Sequence, residues 1–346
     1  MDPAADPGAV DPAAVHQDGA DPAADPTAVD PAAVDRDALD RDPVDPAEAE
    51  AWIAQVVRTA GPLEITRHRP WASVGAIALA DGTRAWFKAC RPIQAFEPSL
   101  TTALAERWPD RVAVVLAHDP ARAWLLTADA GTELGLLGND PELWLRVLPR
   151  YAELQRGEAS HVVEHMNEGV PDRRPPSLPE AFDDLVAADL PLEPSEIERL
   201  RAFRPELARL CTDLAASSIL DSIQHDDLHL RSVYLDGSNL RVLDWGDACV
   251  AHPFASLVVT FRFLEDTNGL VPNDPWFTRL RDAYLEPWGP GLVPTFKLAM
   301  RVGMVAQMIA WQRHRAVMHP HDRGAFDEHF AEQLRRTLAR AVGPAS

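Results

Sequence analysis

The chain has 346 residues, with an apolar fraction of 46% and a charged fraction of 25%. That is enough for a sizeable core, in two domains or in one two-lobed unit with a tail. The formal charge of −20 gives no sign of the basic stripe that a nucleic-acid backbone binder shows, so no nucleic-acid partner is expected. The charge is uneven: residues 1–50 carry 12 Asp and 2 Glu against Arg36 and Arg41, a net of −12 that leaves −8 for the rest. Cys90, Cys211 and Cys249 stand far apart without a C-x-x-C spacing, which reads as buried thiols of a cytoplasmic protein rather than a disulfide or zinc framework. The N-terminus has neither the basic region nor the apolar core of a signal peptide.

In chain order, residues 1–46 repeat Asp-Pro-Ala-Ala units at Asp2, Asp11, Asp21 and Asp30. Such a segment cannot offset its ordering entropy, and its prolines block helix propagation, so an acidic disordered tail is expected. From Pro46 a helix signal begins, with Trp52, Ile53, Val56 and Val57 at helical spacing. A short strand at Leu63–Thr66 precedes Gly75–Ala80 and Arg84–Ala89, two β-rich runs joined by Asp81-Gly82, the strongest hairpin signal in the chain. Phe96–Trp108 reads as a helix and Val112–Ala117 and Trp124–Thr127 as strands. Beyond Gly131 the pattern turns helical: Trp144, Val147, Leu148 and Tyr151 share a face, and Ser195-x-x-Glu198 has the form of a capping box. Later stripes run through Leu207–Leu214, Phe254–Phe261, Val293–Trp311 and Phe326–Leu334. The stretch Val293–Trp311 is interrupted by Lys297, Arg301 and Gln307, which makes it a buried helix rather than a membrane span, and no membrane partner is expected. The expected class is α+β: a tail over 1–46, a small antiparallel-sheet lobe over 47–130, and a larger helical lobe over 131–346.

Chemistry concentrates in residues 224–247. His225-Asp226-Asp227 has the H-x-D form of a kinase catalytic loop, in which Asp227 would orient or deprotonate an attacking hydroxyl. A hairpin, Val233–Leu243 with its turn at Asp236-Gly237, then delivers Asp244 where a metal-binding carboxylate is needed. Upstream, Lys88 is one of only two lysines among 33 basic residues, so a role that Arg cannot fill is expected of it. With Glu97 soon after on the helix, preferred over Glu106, it resembles the Lys–Glu pair that kinases set over the α- and β-phosphates. His225 and His229 are expected to hold the loop, and Asp247 to stand behind the metal site or face the substrate.

His225-x-Asp227-Leu-His229 followed by Leu243-Asp244-Trp245-x-Asp247 resembles the aminoglycoside phosphotransferase-like family, which includes choline and homoserine kinases. The resemblance covers roughly residues 50–340 in element order and implies a two-lobed protein-kinase-like fold. It implies an enzyme that transfers the γ-phosphate of ATP, with Mg²⁺, to a hydroxyl of a small molecule. By motif position Asp227 would be the catalytic residue, Asp244 a metal ligand and Lys88 the phosphate-binding lysine. Thr127, Ala128 and Asp129 would form the hinge whose backbone meets adenine. Two departures stand out. Ser232 occupies the position of the second metal ligand, usually Asn, and there is no G-x-G-x-x-G before the hairpin, where Ser73 would contact phosphate instead.

Those departures motivate a rival reading, a nucleotide-binding pseudokinase without turnover. A third reading, a zinc hydrolase, rests on His161-Val-Val-Glu164-His165, which matches an H-x-x-E-H pattern. For the acceptor, Glu265 and Asp266 on the helical lobe would suit a cationic amino-sugar.

Overall fold

The Asp81-Gly82 turn sets the register of the first lobe. Asp81 Oδ1 accepts from Thr83 N at 2.9 Å and Thr83 Oγ1 at 2.6 Å, and Gly82 supplies the positive φ of 85° that the turn needs. Strand β2 (Ala72–Ala78) therefore pairs with β3 (Arg84–Cys90) from Ala72↔Cys90 to Ala78↔Arg84. With β1 (Glu64–His68), β4 (Val115–Asp119) and β5 (Trp124–Ala128) they form an antiparallel sheet in the order β1-β2-β3-β5-β4. This structure, a computed structural model, describes residues 44–237 and 239–342; the acidic repeats up to residue 43 lie outside the described residues.

Alternation along β3 gives the sheet two different faces. Phe87 points into a small core with Ile53, Ile77 and Leu126, beneath helix α1 (Pro46–Ile53), whose Trp52 meets Phe87 and Trp124 edge-on. Lys88 points to the opposite face. Helix α2 (Glu97–Arg107) is inserted between β3 and β4, and its Leu100 and Leu104 join the core of the other lobe. The inserted helix thus belongs by chain to one lobe and by packing to the other.

The larger lobe is built from α3 (Pro141–Glu158), α4 (Val162–Asn167), α5 (Leu178–Ala187), α6 (Pro194–Ala215), α7 (Leu257–Asn268), α8 (Pro275–Leu285), α9 (Val293–Val317) and α10 (Gly324–Thr337). Two small sheets carry the charged loops: β6 (Thr132–Glu133) with β8 (Val233–Asp236) and β9 (Asn239–Val242), and β7 (Ser222–Gln224) with β10 (Cys249–Ala251). Among the described residues no single helix is long and apolar enough to cross a membrane.

Two expected elements shift. The strand expected from Val112 begins at Val115, because Val112 turns to bridge Val242 in parallel while Val242 N donates to Arg111 O at 2.8 Å. The capping box lies two residues earlier than Ser195–Glu198: Glu196 Oε2 accepts from Glu193 N at 3.0 Å. Pro194 at the first helical position, with its φ already helical, fixes that start.

The connection between the lobes turns on Gly131. Its φ is +96°, and a Cβ there would sit 2.2 Å from Leu235 O of the facing strand. Gly82 has a similar φ with open space around it. Gly131→Ala is therefore expected to lower the unfolding free energy by at least about 1–3 kcal/mol, and Gly82→Ala by less; urea denaturation of both variants checks the ranking.

Candidate active site

Lys88 is the hub of the cleft. Its Nζ lies 2.6 Å from Glu97 Oε2 and 2.5 Å from Asp244 Oδ1. The side chains differ in exposure: 2% for Glu97, 14% for Lys88 and 59% for Asp244. Burial works against the ammonium, yet Asp244 and then Glu97 hold its pKa well above the ordinary lysine value. Burial pushes Glu97 up, with Lys88 pulling back. The expected Lys88–Glu97 pair is formed and extends across the lobes to Asp244.

The loop after β7 is held by a buried charge pair beside the expected catalytic residue. Arg173 Nη1 donates to Asp226 Oδ2; Gln224 Nε2 donates to Asp226 Oδ1 at 2.9 Å, and Gln307 Nε2 to its Oδ1 and backbone O, both at 2.7 Å. Asp226 has a φ of 64°, as does Asp244; Asp tolerates this left-handed conformation better than most residues. His225 donates from Nε2 to Leu243 O at 2.8 Å and accepts Asp227 N at Nδ1, 3.3 Å. That bond ties the first loop to the residue preceding Asp244. Burial keeps the His225 pKa below its usual value, consistent with a neutral ring.

His229 accepts Arg231 N at Nδ1, 3.0 Å, so its proton sits on Nε2, 3.1 Å from Asp227 Oδ2. Both histidines thus hold loop geometry. Asp227 keeps 30% of its side chain exposed and lines the cleft.

Two expected ligands are placed elsewhere. Ser232 is buried; its Oγ accepts His229 N at 2.9 Å and shares its proton between His229 O, 3.0 Å, and Asp227 O, 3.2 Å. The hydroxyl closes the loop on itself and does not line the cleft, which corrects its expected role as a metal ligand. Ser73 lies on the face of β2 opposite Val74, the residue registered with Lys88, and its Oγ pairs with His68 Nδ1 at 3.0 Å. It is not placed to contact phosphate. In the hinge, Ala128 N donates to Val114 O at 2.9 Å and Asp129 N to Arg84 O at 3.2 Å. Those two amides are already used; Thr127, Asp129, Ala130 and Gly131 line the cleft.

The cleft encloses about 630 Å³ between the lobes and gathers Lys88, Glu97, Asp227, Asp244 and Asp247. Arg67 also lines it, on the strand preceding the turn that stands in place of a glycine-rich loop. Sequence reasoning missed a further ion pair. His314 Nε2 lies 2.8 Å from Asp247 Oδ1, and His314 Nδ1 faces Ala310 O at 3.1 Å. Both ring nitrogens face acceptors, an arrangement that favours the imidazolium. Burial opposes that charge, but Asp247 outweighs it and raises the His314 pKa above 6.5, while His314 holds Asp247 below its usual range. The same ring packs edge-on against Trp71 at 4.9 Å. Only the i, i+4, i+7 spacing of Gln307, Trp311 and His314 could have pointed to this stripe in the sequence.

The remaining expectations resolve by geometry. Glu265 and Asp266 are occupied by arginines: Arg340 Nη1 donates to Glu265 at 3.0 Å, and Arg336 Nη2 to Asp266 at 2.8 Å. Neither acid is free to recognise a cationic amino-sugar. In the H-x-x-E-H segment, His165 is buried with Nε2 2.9 Å from Glu158, and His161 Nδ1 is 2.9 Å from Glu164. Among the described residues no group of three or more His, Cys, Asp or Glu side chains could hold a metal ion.

With this geometry in hand, the chain has the two-lobed protein-kinase-like fold of small-molecule kinases, as the resemblance implied. It superposes on a macrolide 2'-phosphotransferase from Brachybacterium faecium with a TM-score of 0.54 at 18% identity, covering 84% of this chain and 98% of that one. It is also similar to an ethanolamine kinase from Plasmodium vivax (TM-score 0.60, 12% identity, 87% and 85% covered). A third similar structure is an amicoumacin kinase in complex with AMP-PNP, Ca²⁺ and Ami (TM-score 0.59, 10% identity, 90% and 97% covered). No protein-family model and no curated protein sequence matches the chain.

Two outcomes follow from the buried pairs. Arg173→Met leaves Asp226 buried without its counter-charge and is expected to destabilise the protein by about 3–5 kcal/mol, with Asp226→Asn added to it recovering part of the loss in urea unfolding. Because the folded His314 pKa is raised, its contribution is complete below pH 6.5 and is lost as pH rises through the raised value. The Tm advantage of wild type over His314→Gln should therefore shrink as the pH is raised above 6.5.

Proposed function

We propose that the chain is a phosphotransferase that moves the γ-phosphate of ATP, with Mg²⁺, to a hydroxyl of a small molecule. One observation carries this reading: Lys88 spans Glu97 and Asp244 in the wall of a cleft that also holds Asp227. Phosphoryl transfer asks a protein mainly for positioning and charge neutralisation, and these residues supply both. The complex of a similar kinase with AMP-PNP and Ca²⁺ supports the use of a nucleotide and a divalent cation.

In this reading Glu97 keeps Lys88 aimed at the phosphates, and Lys88 exchanges its Asp244 contact for phosphate oxygens when nucleotide enters. Asp244, the most exposed of the three carriers of charge, is the oxygen donor that fits Mg²⁺. Held by Asp244, such a cation would neutralise negative charge on the phosphates. Asp227 offers one oxygen to the acceptor hydroxyl while His229 fixes the other. The acceptor oxygen forms the new P–O bond as the bond from the γ-phosphorus to its bridging oxygen breaks. The hydroxyl proton passes to Asp227, and the nucleoside diphosphate leaves.

Ser232 favours one rival. With its hydroxyl spent inside the loop, the second metal ligand of the related motif is missing, as a nucleotide-binding pseudokinase would tolerate. A single variant separates the two readings. Asp227→Asn is expected to lower kcat by about 10²–10⁴-fold while leaving the nucleotide Kd unchanged, as measured by coupled nucleotide consumption and by calorimetry. Wild-type protein that binds nucleotide and turns over none of a broad panel of alcohols would establish the pseudokinase instead.

A further inference from the structure

Beside the main cleft lies a second cavity of about 130 Å³, and Gln307 and Trp311 are walls of both. Gln307 is also the residue that bonds Asp226, one position before Asp227. The inner wall of the cavity is apolar, with Val258, Phe261, Met300, Met304 and Met308. Its charged lining consists of three arginines, Arg262, Arg336 and Arg340, against one acid, Glu265.

Arg262 is the anomaly. Three arginines are buried among the described residues. Arg173 is paired by Asp226 and Arg315 by Asp327. Arg262, 9% exposed, forms no ion pair and no side-chain hydrogen bond among the described residues. Its guanidinium instead lies over the rings of Phe263, at 5.5 Å, and Trp311, at 5.6 Å. Ring faces stabilise the charge but leave its N–H groups unspent, and a buried charge without hydrogen-bonded partners is costly. Burial depresses its pKa, with Asp227 and Asp266 opposing that, so the group is within electrostatic reach of the expected reaction centre.

We propose that this cavity seats a carboxylate of the acceptor against the Arg262 guanidinium, with the acceptor's aliphatic part along the methionine wall. The planar N–H fork of arginine matches a carboxylate in two parallel bonds. A cationic head would meet three arginines whose only acidic neighbour in the lining, Glu265, is already bound by Arg336 and Arg340. The acceptor class is thus a hydroxy acid with a short apolar spacer. This inference rests on the phosphotransferase reading for its chemistry, but not for its binding.

A matched series tests it on the full chain: 6-hydroxyhexanoate, 1,6-hexanediol and 6-amino-1-hexanol, each titrated calorimetrically and each offered with ATP and Mg²⁺. In wild type the carboxylate should bind about 10- to 100-fold more tightly than the diol, the scale of a charge-assisted hydrogen bond, and the amine weakest. Arg262→Met should abolish that preference and leave ADP binding and the diol unchanged, and Arg262→Lys, which keeps the charge without the fork, should restore part of it. Equal or tighter binding of the amine overturns the inference, as does an Arg262→Met variant that loses ADP affinity instead, or no binding of any of the three at millimolar concentration. The wild-type ranking needs no variant to fold. Carboxylate binding without turnover would sink the phosphotransferase reading and keep the anion site; turnover of the amine alone would do the reverse.

Discussion

One ammonium group ties the sheet, the inserted helix and the second hairpin of this molecule together. Lys88 projects from the sheet, takes Glu97 from an inserted helix whose apolar face belongs to the opposite lobe, and takes Asp244 from the end of the second hairpin. The geometry asks for a compact point charge with three donors on a flexible stem, able to release one carboxylate and accept a phosphate. A planar guanidinium would fix both carboxylates at once and be slow to exchange. That is a physical reason for a lysine to persist in a chain that otherwise uses arginine almost everywhere.

Behind that exchangeable contact stands one that is not exchangeable. Arg173, from the loop after α4, and Gln307, from the middle of α9, close on Asp226 where no solvent can compete. The loop's left-handed turn at Asp226 survives because three donors meet its carboxylate. His225 then carries the constraint to Leu243 and His229 carries it to Asp227. The loop is fixed by hydrogen bonding, whereas Asp244 remains open to the cleft.

Much of this was legible before any coordinates, and the reason is locality. The Asp81-Gly82 hairpin, the helices with apolar stripes, and the spacings of Lys88 to Glu97 and of Asp227 to Asp244 are all written in short windows, where turn chemistry and periodicity act. What escaped depends on contacts distant in sequence or on which face a residue takes. Ser73 was one residue out of phase, since a strand sends alternate side chains to opposite faces. Ser232 offered the right kind of atom at the right spacing but spent it on the loop's own backbone. Asp226 carries no role in the H-x-D pattern, and only Arg173, 53 residues away, and Gln307, 81 residues away, reveal it as the anchor.

Helix α9 draws these strands together. Gln307, Trp311 and His314 fall one turn apart on the same face, and each does a different thing: Gln307 fixes the loop at Asp226, Trp311 lines both cavities, and His314 pairs with Asp247 and packs on Trp71 of the other lobe. Arg313, beside His314, donates to Ile93 O just ahead of α2. A change of angle between the lobes must therefore move or break the His314 and Arg313 contacts, and a rigid helix transmits any such motion toward Trp311 and Gln307 within two turns. The wall of the smaller cavity and the anchor of the reactive loop are parts of one solid element. Whatever occupies that cavity therefore meets, in Gln307, the same side chain that holds the loop next to Asp227.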